Sequence, residues 1–216
     1  NANSLVGDGR ELDLLFQFDL MDMDGEGSKW NAIPLDVPKL KRIVAAWQGA
    51  IDWNTLFLGN HDQPRVVSRF GDTSSEELWK RSAKCLAALM YLQRGTPFIY
   101  QGEELGMTNA PFETREQLRD VEELNLLALC SSAAELEWAW RGIKAKGRDN
   151  ARTPMQWSAG ENAGFTTGEP WIMLNPNYTD INAEAEEGDP DSVLNYYRAL
   201  IALRDSTPAL LRGDWR

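Results

Sequence analysis

Histidine occurs once and cysteine twice in 216 residues, at His61, Cys85 and Cys130. A single histidine excludes any mechanism built on two or three histidine ligands. The two cysteines stand far apart and outside any CxxC pair, so neither a disulfide framework nor a cysteine zinc site is expected, and free thiols suit a reducing cytoplasm. Basic charge is in deficit: 22 Lys and Arg face 33 Asp and Glu, a net charge of −11. That field repels phosphate backbones and anionic lipid, so neither nucleic acid nor membrane is an expected partner. No apolar run approaches the ~20 residues that span a bilayer. Phosphate-cradle, dinucleotide, serine-hydrolase and zincin motifs are missing, and no cofactor or metal is expected. The opening NANSLVGDGRELD has neither a basic nor an apolar leader region and no initiator Met. A cytoplasmic chain that starts inside something longer is therefore expected.

What is present alternates between strand and helix patterns. Residues 13–23 (DLLFQFDLMDM) read as a buried strand. Leu40, Ile43, Val44 and Trp47 share one helical face after Pro38, closed by Gly49. Asn54 to Leu58 reads as a second strand. Ser74 and Glu77 have capping-box spacing, opening a helix to about Gln93. Phe98-Ile99-Tyr100 reads as a third strand, residues 113–146 as irregularly helical, and 147–190 as a long loop of the kind that is functional or disordered. Glu184, Glu186, Glu187 and Asp189 read as a solvated acidic face. Asp189-Pro190 starts a last helix over 191–205, which Thr207-Pro208 stops. Such alternation implies parallel βαβ units in an α/β fold. Three units are either a small open sheet or three-eighths of a (β/α)8 barrel.

In parallel α/β architectures function sits where strands end. Asn60-His61-Asp62-Gln63-Pro64-Arg65 follows one strand. Its His-Asp pair suits a hydroxyl-rich ligand or a developing positive charge, or else merely a capped turn. Gln101-Gly102-Glu103-Glu104 follows another strand, and position alone favours a surface carboxylate pair there. Of nine tryptophans, Trp47 and Trp79 lie on helix faces and read as core, while Trp157 and Trp171 fall in the long loop and are the better pocket candidates.

Four segments together resemble the α-amylase superfamily, glycoside hydrolase family 13, in the branch of oligo-1,6-glucosidases, α-glucosidases, dextran glucosidases and trehalose-6-phosphate hydrolases. They are TLFLGNHDQPR at 55–65, GTPFIYQGEELGMTN at 95–109, RDNARTPMQW at 148–157, and AGF at 163–165 followed by PNY at 176–178. The resemblance implies the last three β/α units of a TIM barrel, unclosed by themselves, with 13–23 as the sixth barrel strand. It implies that Asp62 is the third catalytic carboxylate, and that His61 hydrogen-bonds the sugar while Arg152 closes the pocket around its non-reducing end. Gln63 and Arg65 join them as candidate substrate-binding residues. An oligosaccharide is the implied substrate.

The family's nucleophilic aspartate and general-acid glutamate belong to upstream strands, and its C-terminal β-domain has no counterpart here. A retaining glycosidase needs two carboxyl groups ~5–5.5 Å apart, so the chain alone is expected to hydrolyse nothing. Sucrose isomerase, glucosyltransferase, trehalose-6-phosphate hydrolase and a non-catalytic glucosidase-like module stay open as alternatives. Unpaired sheet edges and a wet barrel-facing side carrying Phe16, Phe18, Leu56 and Phe98 lead us to expect self-association.

Overall fold

Asp36 starts the first helix by accepting a hydrogen bond from the Lys39 amide at 2.9 Å. With Pro38 in its first turn, α1 runs Val37–Ala50 and buries Leu40, Val44 and Gln48. Ile43 and Trp47 are half-buried, and Gly49 lies inside the helix rather than closing it. The computed structural model describes residues 2–7 and 11–213. After α1 come β1 (Asn54–Leu56), α2 (Val66–Phe70), α3 (Glu76–Tyr91) and β2 (Gly95–Pro97). The two strands pair in parallel, Asn54 with Gly95, Thr55 with Thr96 and Leu56 with Pro97. They therefore form one βαβ unit, with α2 and α3 as the crossover.

Gly95 shows why this pairing takes glycine. Its φ is +146°, and a Cβ there would lie 2.3 Å from the Asn54 carbonyl oxygen. Ser75, not Ser74, caps α3 by accepting from the Leu78 amide at 3.2 Å. Beyond β2 the chain forms α4 (Val121–Leu129), α5 (Ala133–Lys146), the single turn α6 (Asp149–Arg152), α7 (Ala183–Gly188), α8 (Val193–Ser206) and α9 (Pro208–Arg212). Ser192 caps α8 in place of the expected Asp189-Pro190 start, and Pro208 opens α9 as well as following the end of α8.

The expected strand over 13–23 does not form. Residues 14–18 lie beside β1 but are held by side chains instead of a backbone ladder. The Thr55 hydroxyl donates to the Leu15 carbonyl at 2.8 Å, and the Phe16 ring packs edge-on against Phe57 and Phe98 at 5.1 and 4.8 Å. The Met21 and Asp22 amides then turn back onto the Phe18 carbonyl and end the run. The sheet is thus open and two-stranded among the described residues. The third expected strand sits a step early, at 95–97, because the Phe98 amide makes the last bond to β1 (Leu56 carbonyl, 2.8 Å) before the chain turns.

Among the described residues two apolar cores result. One joins residues 20–23, α1, β1, α3 and α8, with the Tyr91 and Tyr197 rings 5.8 Å apart. The other gathers Trp30, Phe112, Leu118, Leu127, Ile143 and Ile172. Arg204 fastens the bottom of the first core, donating to the carbonyls of Tyr91 (2.8 Å), Gln93 and Gly95. Phe16, Phe18 and Phe98 remain 48%, 55% and 37% exposed as expected, but Leu56 is 2% exposed, because it faces the helices.

Candidate active site

The site begins where β1 ends. Phe57 and Leu58 are buried, and a turn then lifts the chain into solvent: the Asn60 side chain accepts from the Asp62 amide at 2.8 Å. The turn leaves His61 exposed and the Asp62 side chain 43% exposed, with His61 Nε2 3.2 Å from Asp62 Oδ2. Arg152 Nη2 donates to Asp62 Oδ1 at 2.9 Å, and its Nε donates to the His61 carbonyl at 2.9 Å. Asp62, His61 and Arg152 are therefore brought together from segments distant in sequence.

Two residues that the sequence reading missed complete this cluster. Arg148, the residue that precedes α6, stands four positions before Arg152, and its Nη1 lies 3.4 Å from Asp62 Oδ1. Asp120 is buried beneath both arginines. Arg152 Nη1 reaches it at 2.6 Å, Arg148 Nη2 at 3.0 Å and Arg148 Nε at 2.9 Å. Burial alone would raise the Asp120 carboxyl, but the hydrogen bond and charge of Arg148 outweigh it and hold the group below its ordinary value. Asp149 fixes this floor by accepting from the amides of Arg119 and Asp120 at 2.6 and 2.9 Å. Only the i, i+4 spacing of Arg148 and Arg152 could have been read from sequence.

A cleft of about 270 Å³ opens beside Asp62 and Gln63, bordered by Asp22, Lys29 and Lys146. Gln63 Oε1 accepts from Arg69 Nη1 at 2.6 Å, so Gln63 reaches the cleft already oriented. Arg65 has a different setting. It is buried, and donates to the carbonyls of Asn150 (3.0 Å) and Gln101 (2.7 Å) and to the Thr153 hydroxyl (3.3 Å). Burial pulls its guanidinium down to about 10. Trp157 and Trp171 are exposed and do not border this cleft, whereas Trp79 is core. No three His, Cys, Asp or Glu side chains converge as a metal site among the described residues.

Two acidic expectations need correction. Glu103 is not half of a surface pair. Its Oε1 accepts from the hydroxyls of Tyr91 (2.5 Å) and Tyr197 (3.0 Å), and its Oε2 is enclosed without a partner. Nor is the 184–189 run merely solvated. Glu186 is buried and accepts from the Leu194 amide at 2.9 Å, while Glu187 and Asp189 pair with Arg198 and Lys80.

Burial pushes Glu103 and Glu186 up to about 7 and Glu123 to about 8, from an ordinary value of 4.5. Between 4.5 and these values the folded chain keeps protons that the unfolded chain has released, so stability falls as pH climbs through that window. Asp24 and Asp120, both held low, act in the opposite direction in acid. The chain should therefore melt higher at pH 5.5 than at pH 8. Each of the three shifts contributes on the order of 2 kcal/mol over this interval, so together they should move the melting point by more than about 8 °C in a chain of this size. Glu123→Gln keeps the acceptor for the Asp149 amide and should shrink the difference; an equal or higher melting point at pH 8 would refute the account.

The geometry defines a strand-end site in which a half-exposed carboxylate is held by two arginines beside an imidazole. The chain belongs to the α-amylase family: residues 4–213 match the alpha amylase catalytic domain. It is 49% identical over 215 residues to a probable oligo-1,6-glucosidase 2 of Bacillus subtilis, covering 96% of this chain and 38% of that protein. Among solved structures, trehalose-6-phosphate hydrolase of Bacillus licheniformis is 46% identical, with a TM-score of 0.89 over 94% of this chain and 37% of that one. A mutant isomaltulose synthase of Erwinia rhapontici, in complex with D-glucose, is 42% identical, with a TM-score of 0.85 over 94% and 37%. The chain thus spans about two fifths of the length of the relatives it matches.

Proposed function

We propose that this chain is the C-terminal part of a single (β/α)8 catalytic domain, that of a retaining α-glucosidase. Its substrate would be the α-1,6 or α-1,4 bond at the non-reducing end of short oligosaccharides. The convergence of Asp62, His61 and Arg152 beside one cleft, in a member of this family, carries the reading. Asp62 would hold sugar hydroxyls and stabilise the oxocarbenium-like charge of the transition state. His61 would donate to or accept from a hydroxyl, and Arg152 would close the non-reducing end. Gln63 would meet substrate from its Arg69-fixed position. Arg65 would support the site chiefly from below, since its donors already have protein partners. The nucleophile and the acid that glycoside cleavage needs would come from strands preceding these residues. Relatives named for hydrolysis and for isomaltulose synthesis favour one shared step, glucosyl transfer from an α-linked donor, with water or a sugar as acceptor. Two free thiols, exposed Cys85 and partly buried Cys130, support a cytoplasmic setting.

Two preparations test the proposal. The chain alone should turn over no p-nitrophenyl α-glucoside, and it should sediment as an assembly at micromolar concentration, through the open edge and the exposed Phe16, Phe18 and Phe98. Exchanged for the matching segment of the Bacillus subtilis relative, it should yield an active hybrid whose products report water or sugar as acceptor. Turnover by the chain alone, or a stable monomer, would overturn the corresponding half of the first expectation. A folded but inactive hybrid would overturn the glucosidase reading.

A further inference from the structure

Asp62 and Asp120 share the same two cations. Arg152 bridges them with Nη2 on Asp62 and Nη1 on Asp120, at 2.9 and 2.6 Å. Arg148 does likewise, at 3.4 Å from Asp62 but 2.9 Å from Asp120. Both cations therefore stand nearer the buried carboxylate than the exposed one. We propose that Asp120 is a positioning residue for Asp62, acting through Arg148 and Arg152; the catalytic consequence rests on the reading above, and the placement does not.

The charges explain how it works. A guanidinium stays protonated in proteins, so neither arginine can relax by losing its charge. Asp62 and Asp120 are the carboxylates common to both arginines, Glu122 lying 3.4 Å from Arg148 alone and pairing with Lys29, and the fixed partner settles where the cations sit. Asp120 is that fixed partner. Its Oδ1 accepts from the amides of Glu122 and Glu123 at the start of α4, at 2.9 and 3.3 Å, and its own amide donates to Asp149 at 2.9 Å. Asp62 sits on a turn that Asn60 fixes through the Asp62 amide, but its carboxylate is met by side chains alone. While Asp120 holds the arginines, Asp62 keeps Oδ2, which only His61 Nε2 approaches at 3.2 Å, and part of Oδ1 to accept from a ligand hydroxyl. Without that charge, Arg152 has Asp62 as its nearest carboxylate, 2.9 Å away, and Arg148 divides between Asp62 and Glu122, each 3.4 Å away, so a sugar must displace Arg152 and part of Arg148 from Asp62.

Asp120→Asn isolates the charge, because asparagine caps a helix about as well as aspartate. In a crystal structure of the variant chain, the long Arg148 Nη1 to Asp62 Oδ1 hydrogen bond should shorten from 3.4 Å to about 2.9 Å, with α4 unchanged. In the active hybrid, Asp120→Asn should lower kcat/KM by about 10²-fold, mostly in kcat, in a protein that still melts cooperatively. In an Asp62→Asn background the same substitution should cost less than about 3-fold, because residues acting as a unit are not additive. Asp120→Ala, which loses the cap as well, should add a fall in melting point. Unmoved arginines in the variant chain, or equal losses with and without Asp62, would overturn the proposal. An inactive wild-type hybrid would strike the functional reading instead, and the crystal arm would still decide the positioning.

Discussion

Asp62→Asn in the active hybrid is expected to lower kcat by about 10²–10³-fold, the range found when one preorganised group facing transition-state charge is removed. Three features of the site lead to that magnitude. The carboxylate sits on a turn fixed by Asn60, so its position costs no rearrangement during reaction. It borders the cleft directly. Its arginine partners are anchored underneath, so the negative charge facing the cleft is Asp62's own. Asparagine preserves shape and hydrogen bonding but removes the charge. Folding should hardly notice, since the Asp62 side chain is 43% exposed and ion pairs at such sites contribute about 0–1 kcal/mol. Turnover and thermal melting on the same preparation check both halves. A variant retaining most of its turnover would remove Asp62 from the mechanism; one that fails to melt cooperatively would make it structural.

Local patterns were legible in the sequence, and long-range charge pairing was not. The faces of α1 and α3 follow from apolar spacing, and the strand-end turn at 60–63 follows from polar residues after a short apolar run. The run over 13–23 misleads because apolar density signals burial, whereas a strand also needs a backbone neighbour in register. Here Leu15 and Phe16 obtain burial through Thr55 and Phe57 without a ladder. Glu103 and Glu186 were read as surface groups because carboxylates usually are. Only the packing of Tyr91 and Tyr197 around the first, and the α8 amide aimed at the second, shows otherwise. Asp120 escaped notice for a related reason. In sequence it is an ordinary helix cap, and its second duty to the arginines at the two ends of α6 exists only in space.

The largest expected effect on stability belongs to Asp24. This buried carboxylate receives Arg69 Nε and Nη2 at 2.8 and 2.5 Å and Lys146 Nζ at 2.5 Å. All three side chains are almost fully enclosed. Asp24→Ala leaves two buried cations without their counter-charge, a class of change that costs about 3–5 kcal/mol, or a melting-point fall of about 10 °C here. The pH dependence separates this account from simple loss of packing. Lys146 is already held at about 8 by burial, with Arg69's charge pushing the same way and Asp24 opposing. Removing Asp24 drives it lower still, so the folded variant holds fewer protons than the unfolded chain over a wider range below 10.5. Its stability must then rise with pH across that range, and the deficit against wild type should be deep at pH 6 and shallower at pH 9. Because Arg69 also orients Gln63, and Lys146 borders the cleft beside Asp62, the variant hybrid should lose activity at temperatures where it is still folded. A pH-independent deficit would mean that packing, not charge, is what Asp24 supplies.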